Sequence, residues 1–144
     1  MATTKKIVTV PVNYTLCTKN GCPKAGNCLR HKATQLVPAE VQTWSIISPA
    51  YLAQMEGECP HYRSAEKVLY ARGFVRMMSA LTVMQAHMVK DSIVAKFGMN
   101  MYYRMRRGER LITPAEQEGL YQLLEQQGVK TRPDFDAYVE DYLW

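Results

Sequence analysis

The feature that most constrains the fold is the placement of the four cysteines, all of which lie within the first 59 of 144 residues. They are separated by four, five and thirty residues, and the turn dipeptides Asn20-Gly21 and Gly26-Asn27 lie between the first three. Loops that turn between thiols can gather four soft ligands around a tetrahedral zinc ion. The spacing therefore predicts a structural zinc site that fastens the N-terminal third of the chain, with the ligands Cys17, Cys22, Cys28 and Cys59.

Other uses of these cysteines stay open. Four thiolates also suit an iron–sulfur cluster, and the steps Cys22-Pro23 and Cys59-Pro60 resemble cluster ligands that are followed by proline. His31 or His61 could replace a cysteine as ligand. Free buried cysteines are a third alternative, and disulfides a fourth that a reducing compartment disfavours.

Charge is spread unevenly along the chain. Residues 1–110 carry 16 Lys and Arg against 6 Asp and Glu, whereas residues 111–144 carry 2 against 7. A basic body with an acidic C-terminal segment favours a polyanionic partner, and solvated faces that pair with each other are the alternative. No apolar run is long enough for a membrane helix and no secretory signal is present, so we expect a cytoplasmic protein without membrane contact.

The pattern predicts a mainly α protein: a helical body with a small N-terminal β-ribbon and metal-pinned loops. We expect a single domain over 1–144, with a Cys-rich ribbon and loop part at 1–62 and a helical part at 63–144. The β-branched stretches 7–12 and 41–47 predict the ribbon. Ser64 is the predicted N-cap of the first helix, whose apolar stripe comprises Phe74, Met77, Met78, Leu81, Met84 and Met88.

Further helices are predicted after this one. Asp91 caps a short one that ends at Gly98. The run Thr113-Pro114-Ala115-Glu116 is a capping box that opens a helix closing at Gly128. The residues Phe135, Tyr138, Val139 and Tyr142 predict a last short helix that ends at Trp144 and either docks on the body or contacts a protein partner.

Residues 91–127 carry arginines and tyrosines on what reads as a helix, a turn at Met99-Asn100 and a second helix from Met101 to Arg107. This stretch resembles the helix-turn-helix of bacterial DNA-binding regulators. Arginine forks can bind phosphate or guanine edges, and tyrosines add hydroxyl contacts or stacking. The predicted nucleic-acid contacts are Arg104, Arg106, Arg107, Arg110, Tyr102 and Tyr103, with secondary contacts from Lys19, Lys24 and Arg30.

Catalysis is less favoured. The sequence has no Gly-rich phosphate loop, no His-Glu-x-x-His and no serine elbow. A catalytic thiol paired with His31 or His61 would need proximity in space, which closeness in sequence does not supply. The sequence thus predicts a metal-stabilised nucleic-acid-binding protein, a DNA-binding regulator, with a protein–protein adaptor or an iron–sulfur redox sensor as alternatives.

The whole chain also resembles a family of small uncharacterised bacterial proteins with an N-terminal four-cysteine cluster. The resemblance rests on Asn13-Tyr14, on the run from Cys59 to Arg63, on Tyr102-Tyr103-Arg104 through Gln117, and on the terminal Asp141-Tyr142-Leu143-Trp144. It implies no activity.

Overall fold

The computed structural model describes residues 10–144, so residues 7–9 of the strand predicted at 7–12 lie outside the described residues, and residues 10–12 form no strand. The chain forms two compact units. We call residues up to Lys67 together with Tyr142–Trp144 the cysteine unit, and Val68–Asp141 the helical unit. The predicted division at 62/63 lies close to the observed one at 67/68, but the return of the last three residues was not predicted. That the chain is one domain stays a prediction.

The cysteine unit is built mostly of loops around a small core. It contains α1 (Leu29–Lys32) and α2 (Pro49–Gln54). Its core comprises Val10, Leu16 and Ala33, and the tryptophans and other apolar side chains that pack around it are Tyr14, Leu36, Val37, Trp44 and Trp144. The strand predicted at 41–47 is wrong: the segment makes one isolated parallel bridge, between Leu16 and Ile46.

The predicted ribbon is replaced by a two-stranded antiparallel sheet elsewhere, formed by β1 (Lys67–Arg72) and β2 (Ala137–Tyr142). Two predicted helices are therefore wrong, the one opened by Ser64 and the last one over 135–142. The Ser64 hydroxyl does accept a hydrogen bond, from the amide of Glu66 at 3.2 Å, but this closes a local turn before the strand. Each strand satisfies its backbone by pairing with the other, which local patterns do not reveal.

The helical unit contains four helices. They are α3 (Val75–Ser79), α4 (Val83–Phe97), α5 (Met99–Arg107) and α6 (Pro114–Gln126). The largest side chains fully buried in its core are Phe74, Ile93, Met105, Ile112, Leu124 and Phe135. Within residues 10–144, no helix is both long and apolar enough to cross a bilayer.

The predicted methionine stripe is correct only in its first half. Met77 and Met78 are buried, but Met84 is 75% exposed and Met88 is 44% exposed. The helix stops at Ser79 and a new one begins at Val83, which changes the face that points inward. The residues of α4 that reach the core are Val89 and Ile93.

The N-terminus of α4 lies earlier than predicted. Thr82 and Gln85 form a capping box, in which each side chain accepts a hydrogen bond from the other residue's amide. Asp91 is therefore inside a 15-residue helix and caps nothing, so that prediction is wrong. Gly98 does end the helix, with a φ of +88° that favours glycine.

A distant carboxylate stabilises the start of α3. The Asp136 carboxylate accepts hydrogen bonds from the amides of Val75 at 2.8 Å and Arg76 at 2.9 Å. The Asp136 amide donates in turn to the Gly73 carbonyl at 2.9 Å. These contacts occupy amides that a helix N-terminus leaves free.

Candidate functional site

Backbone hydrogen bonds bring three distant parts of the cysteine unit together. The amide of Cys17 donates to the Arg30 carbonyl at 3.1 Å, and the amide of Leu29 donates to the Arg63 carbonyl at 2.7 Å. The segment around Cys28 is thus joined on one side to residues near Cys17 and on the other to residues near Cys59. This explains how cysteines 42 positions apart in the sequence can face the same space.

The guanidinium of Arg30 strengthens this junction. Its Nε donates to the His61 carbonyl at 2.9 Å and its Nη1 donates to the Thr15 carbonyl at 2.8 Å. The same group lies 4.9 Å from the centre of the Tyr14 ring. Burial raises the pKa of Tyr14, while the positive charge of Arg30 acts in the opposite direction. Arg30, predicted as a secondary nucleic-acid contact, is thus engaged inside the unit.

All four cysteines line one small, partly enclosed cavity. Its volume is about 30 Å³, and His31 and His61 also contribute to its wall. The four thiols are free, with Cys28 buried and the other three half-buried. A volume of this size holds one or two water-sized spheres. The structure therefore places the four predicted ligands around one small cavity.

The thiols line this cavity without forming a coordination shell. Within residues 10–144, no three His, Cys, Asp or Glu side chains are grouped as metal ligands would be. Zinc–sulfur bonds are about 2.3 Å long, so binding an ion requires the side chains to turn inward. Protonated thiols do not attract one another, whereas a cation draws thiolates together.

The charges around the cavity suit an anionic centre. The ammonium of Lys19 donates to the Leu52 carbonyl at 3.4 Å, and that of Lys24 lies 5.1 Å from the centre of the Tyr62 ring. With Arg30, these two cations line the cavity, and no carboxylate from the described part of the chain does so. Their positive charge would offset the excess negative charge of four thiolates around a divalent ion.

His31 has a buried atom without a partner. Its Nδ1 makes no hydrogen bond within the described chain, which costs about 1–3 kcal/mol for a buried polar group. A metal ion, or a thiolate that accepts a hydrogen bond, would supply the missing partner. His61 also lines the cavity, and its ring packs edge-on against Tyr51 at 5.8 Å.

The predicted nucleic-acid contacts lie on α5 and in the turn after it, but two of the four arginines already bind carboxylates. Arg107 makes two hydrogen bonds with Glu109, at 2.8 and 3.3 Å, and these lower the pKa of Glu109. Arg110 makes two with Glu116, both at 2.9 Å. A phosphate would have to compete with these carboxylates.

The other predicted contacts differ in exposure. Arg104 is exposed, and Arg106 is half-buried with an Nε that has no partner among the described residues. Tyr102 is buried in the core of the helical unit. Tyr103 is half-buried and its hydroxyl accepts a hydrogen bond from the ammonium of Lys90 at 3.1 Å. No local sequence signal identifies Lys90 as a contact of Tyr103, because the two residues lie thirteen positions apart.

The helices predicted for a helix-turn-helix are present, but their connection differs. Only Gly98 separates α4 from α5, whereas this motif usually has a turn of three or four residues. Nucleic-acid binding by this region stays a prediction. The predicted C-terminal partner helix is absent from the described chain, since 137–142 is the strand β2, with Tyr142 buried and Tyr138 40% exposed.

The comparisons with known proteins agree with an uncharacterised family. A model of a family of unknown function, DUF6078, matches residues 1–144. No curated protein and no solved structure matches the chain significantly. Because the family model covers the entire sequence, the chain belongs to DUF6078, a family of unknown function.

Proposed function

We propose that this protein binds one zinc ion through the thiolates of Cys17, Cys22, Cys28 and Cys59, and that the ion holds the loops of the cysteine unit in place. The observation that carries the proposal is the single cavity lined by all four cysteines. Cysteine thiolates are the ligands of structural zinc sites, and four of them fill the tetrahedral shell.

The size of the cavity favours one ion over a cluster. About 30 Å³ accommodates an ion whose ligands close around it. A four-iron cluster adds four sulfides and three more metal atoms at the same centre, so the loops would have to separate to admit it. Zinc is therefore our proposal, and the iron–sulfur cluster is the alternative that its test must reject.

Metal analysis tests the proposal directly. Protein purified without chelator should contain one zinc per chain, measured by atomic emission together with a visible spectrum. Single Cys→Ser variants at the four positions should each lower zinc retention. No stoichiometric metal in the unsubstituted protein would refute the site, and a brown protein with bound iron would replace zinc by the cluster.

The histidines provide a matched comparison. His31→Gln and His61→Gln alter the cavity wall, whereas His87→Gln alters an exposed residue of α4 in the helical unit. If His31 is a ligand or donates a hydrogen bond to a thiolate, its substitution should weaken zinc binding in a competition with a chromogenic chelator. His87→Gln should leave the affinity unchanged. Equal affinities for all three variants would assign the ion to the cysteines alone.

Nucleic-acid binding by α5 is the second candidate. The exposed guanidinium of Arg104 and the unpartnered Nε of Arg106 favour it, since neither group is held by a carboxylate among the described ion pairs. With two such phosphate contacts, the logarithm of DNA affinity should fall with the logarithm of salt with a slope of about −1.8. Unchanged affinity in Arg104→Glu would remove this candidate.

A further inference from the structure

A cleft in the helical unit carries positive charge and aromatic rings that the zinc proposal does not use. It is formed by residues of α3, α4 and α5 and has a volume of about 390 Å³. That volume lies in the usual range for small-molecule sites, about 300–1,000 Å³. The residues that matter for its chemistry are Val75, Val83, Lys90, Tyr102, Tyr103 and Arg106.

Part of the lining of the cleft is cationic. The Lys90 ammonium lies 5.6 Å from the centre of the Tyr102 ring and 5.3 Å from that of Tyr103, and it donates to the Tyr103 hydroxyl. Arg106 follows Tyr102 by one helical turn, and its Nε is buried without a partner in the described chain. Two cations thus lie beside tyrosine rings, and one still has an unused donor.

No carboxylate from the described residues lines the cleft to balance these charges. Asp91, the only acidic residue of α4, lies outside the lining, and its carboxylate is 3.3 Å from Nε2 of the exposed His87. The hydrogen bond to Tyr103 raises the pKa of Lys90, so the ammonium stays charged at neutral pH. The cleft therefore has a net positive lining.

Other residues of the lining are apolar and exposed to water. Val83 is 89% exposed and Val75 is 44% exposed, and Met78 and Ala86 complete this part of the wall. Covering such side chains is favourable, at about 25 cal/mol per Å² of apolar surface. A ligand that contacts both the cationic and the apolar residues must combine an anionic group with an apolar or aromatic body.

We propose that this cleft binds a small organic anion, with its carboxylate or phosphate on Lys90 and Arg106 and its apolar or aromatic body against Val75 and Val83. The anion supplies an acceptor for the unpartnered Nε of Arg106, and charge-assisted hydrogen bonds of this kind are the strong ones. The site lies wholly in the helical unit and is independent of the zinc proposal.

The test is isothermal titration of the full-length protein with octanoate and, separately, with adenosine monophosphate. Octanoate supplies a carboxylate on an alkyl chain, and the nucleotide supplies a phosphate on an aromatic body. Inorganic phosphate, titrated as the control, has no apolar or aromatic part. We expect one-to-one saturation with at least one of the two organic anions and weaker binding of inorganic phosphate. Which of the two binds more tightly identifies the source of the anion.

Variants on the same helices distinguish the cleft from general charge. Lys90→Met and Arg106→Met should each weaken binding about tenfold or more, because each removes a charged donor. Lys96→Met on α4 removes an equivalent charge from an exposed position outside the cleft and should leave the affinity unchanged. Val83→Glu places a carboxylate at a highly exposed position, where folding tolerates it, and should also weaken binding.

Each outcome either supports or overturns the proposed anion site. Loss of binding in the three cleft variants, with retention in Lys96→Met, supports the site. Absence of saturation by both organic anions at about 10 mM overturns it, since this corresponds to less than about 3 kcal/mol of binding free energy. Equal losses of anion affinity in the cleft variants and in the control, or unchanged affinity in Val83→Glu, overturn the proposed site as well.

Discussion

Gly73 lies where a side chain cannot fit. Its φ is +76°, and an added Cβ would lie 2.7 Å from a carboxylate oxygen of Asp136 and 3.3 Å from the Arg106 carbonyl. Gly73→Ala should therefore disturb the hydrogen bonds that Asp136 makes to the start of α3. We expect a loss of at least about 2 kcal/mol in the free energy of unfolding, measured by urea denaturation.

Gly119 provides the matched control. It lies inside α6, and no heavy atom of the described chain would come within 4 Å of an added Cβ, apart from its own helix backbone and chain neighbours. Gly119→Ala should raise the free energy of unfolding by about 0.5–1 kcal/mol, because alanine is the better helix former. If both substitutions changed the free energy of unfolding in the same direction, crowding around Gly73 would not be the cause of the change in Gly73→Ala.

At the scale of single elements, α6 offers a pH-dependent test. Its predicted capping box is present: the Thr113 hydroxyl accepts from the Glu116 amide at 3.2 Å, and the Glu116 carboxylate accepts from the Thr113 amide at 3.0 Å. Burial alone would raise the pKa of Glu116, but hydrogen bonds from Arg110 and Thr113 outweigh it and lower the pKa below the ordinary 4.5.

The sign of the pH dependence follows from that shift. A carboxyl whose pKa is lower in the folded state binds protons more readily when unfolded, so its stabilisation is complete above pH 4.5 and is lost as the pH falls through the lowered pKa. Glu116→Gln keeps a capping side chain without the charge. It should cost about 1 kcal/mol at pH 7 and progressively less below pH 4.5.

Urea denaturation of Glu116→Gln at several pH values measures this difference. Glu118→Gln, which breaks a half-exposed pair with Arg132, is the control and should have the smaller effect. A loss for Glu116→Gln that stayed constant down to pH 3 would show that the ionised carboxylate is not responsible.

Local signals explain which elements could be predicted. The capping box at Thr113 is complete within four residues, so the sequence contains all of it. The box of Thr82 and Gln85 is equally local, and its Thr-x-x-Gln pattern could have located the start of α4. Asp91 misled the prediction because an acid inside a helix resembles a cap when the preceding turn is not recognised.

The strands depend on partners that local patterns do not contain. β1 and β2 lie about seventy residues apart in the chain, and each has apolar residues that also fit a helix face. Pairing across the sequence decided the structure of both segments.

The four cysteines of the candidate site could be selected from the sequence, but the contacts that hold them around one cavity could not. The cysteine count and the turns identified the four thiols, and the structure places all of them around one cavity. The hydrogen bonds of Arg30 to the carbonyls of Thr15 and His61 depend on tertiary contacts and had no sequence signal. Likewise, the ion pairs of Arg107 and Arg110 became visible only in the folded chain.

At the scale of the whole molecule, the zinc proposal predicts that the two units respond differently to chelation. Among the described residues, the connected core cluster of the cysteine unit has three buried residues, whereas that of the helical unit has twelve. Metal binding can contribute on the order of 10 kcal/mol to the folding of a small domain. Removing zinc should therefore unfold residues 10–67 and leave 68–141 folded.

Hydrogen exchange read by mass spectrometry measures this difference peptide by peptide. With chelator, amides of 10–67 should exchange fast, and those of α4 and α6 should stay protected. Uniform loss of protection along the chain would mean that both units depend on the ion. Unchanged protection throughout would mean that zinc does not stabilise the cysteine unit.

Both tryptophans of the chain, Trp44 and Trp144, pack on the core of the cysteine unit, and the helical unit has none. Tryptophan fluorescence therefore observes one unit alone. Circular dichroism at helical wavelengths is dominated by the other unit, since its helices α4, α6 and α5 have 15, 13 and 9 residues. Two ordinary optical signals thus follow the two halves of this protein separately, without any label.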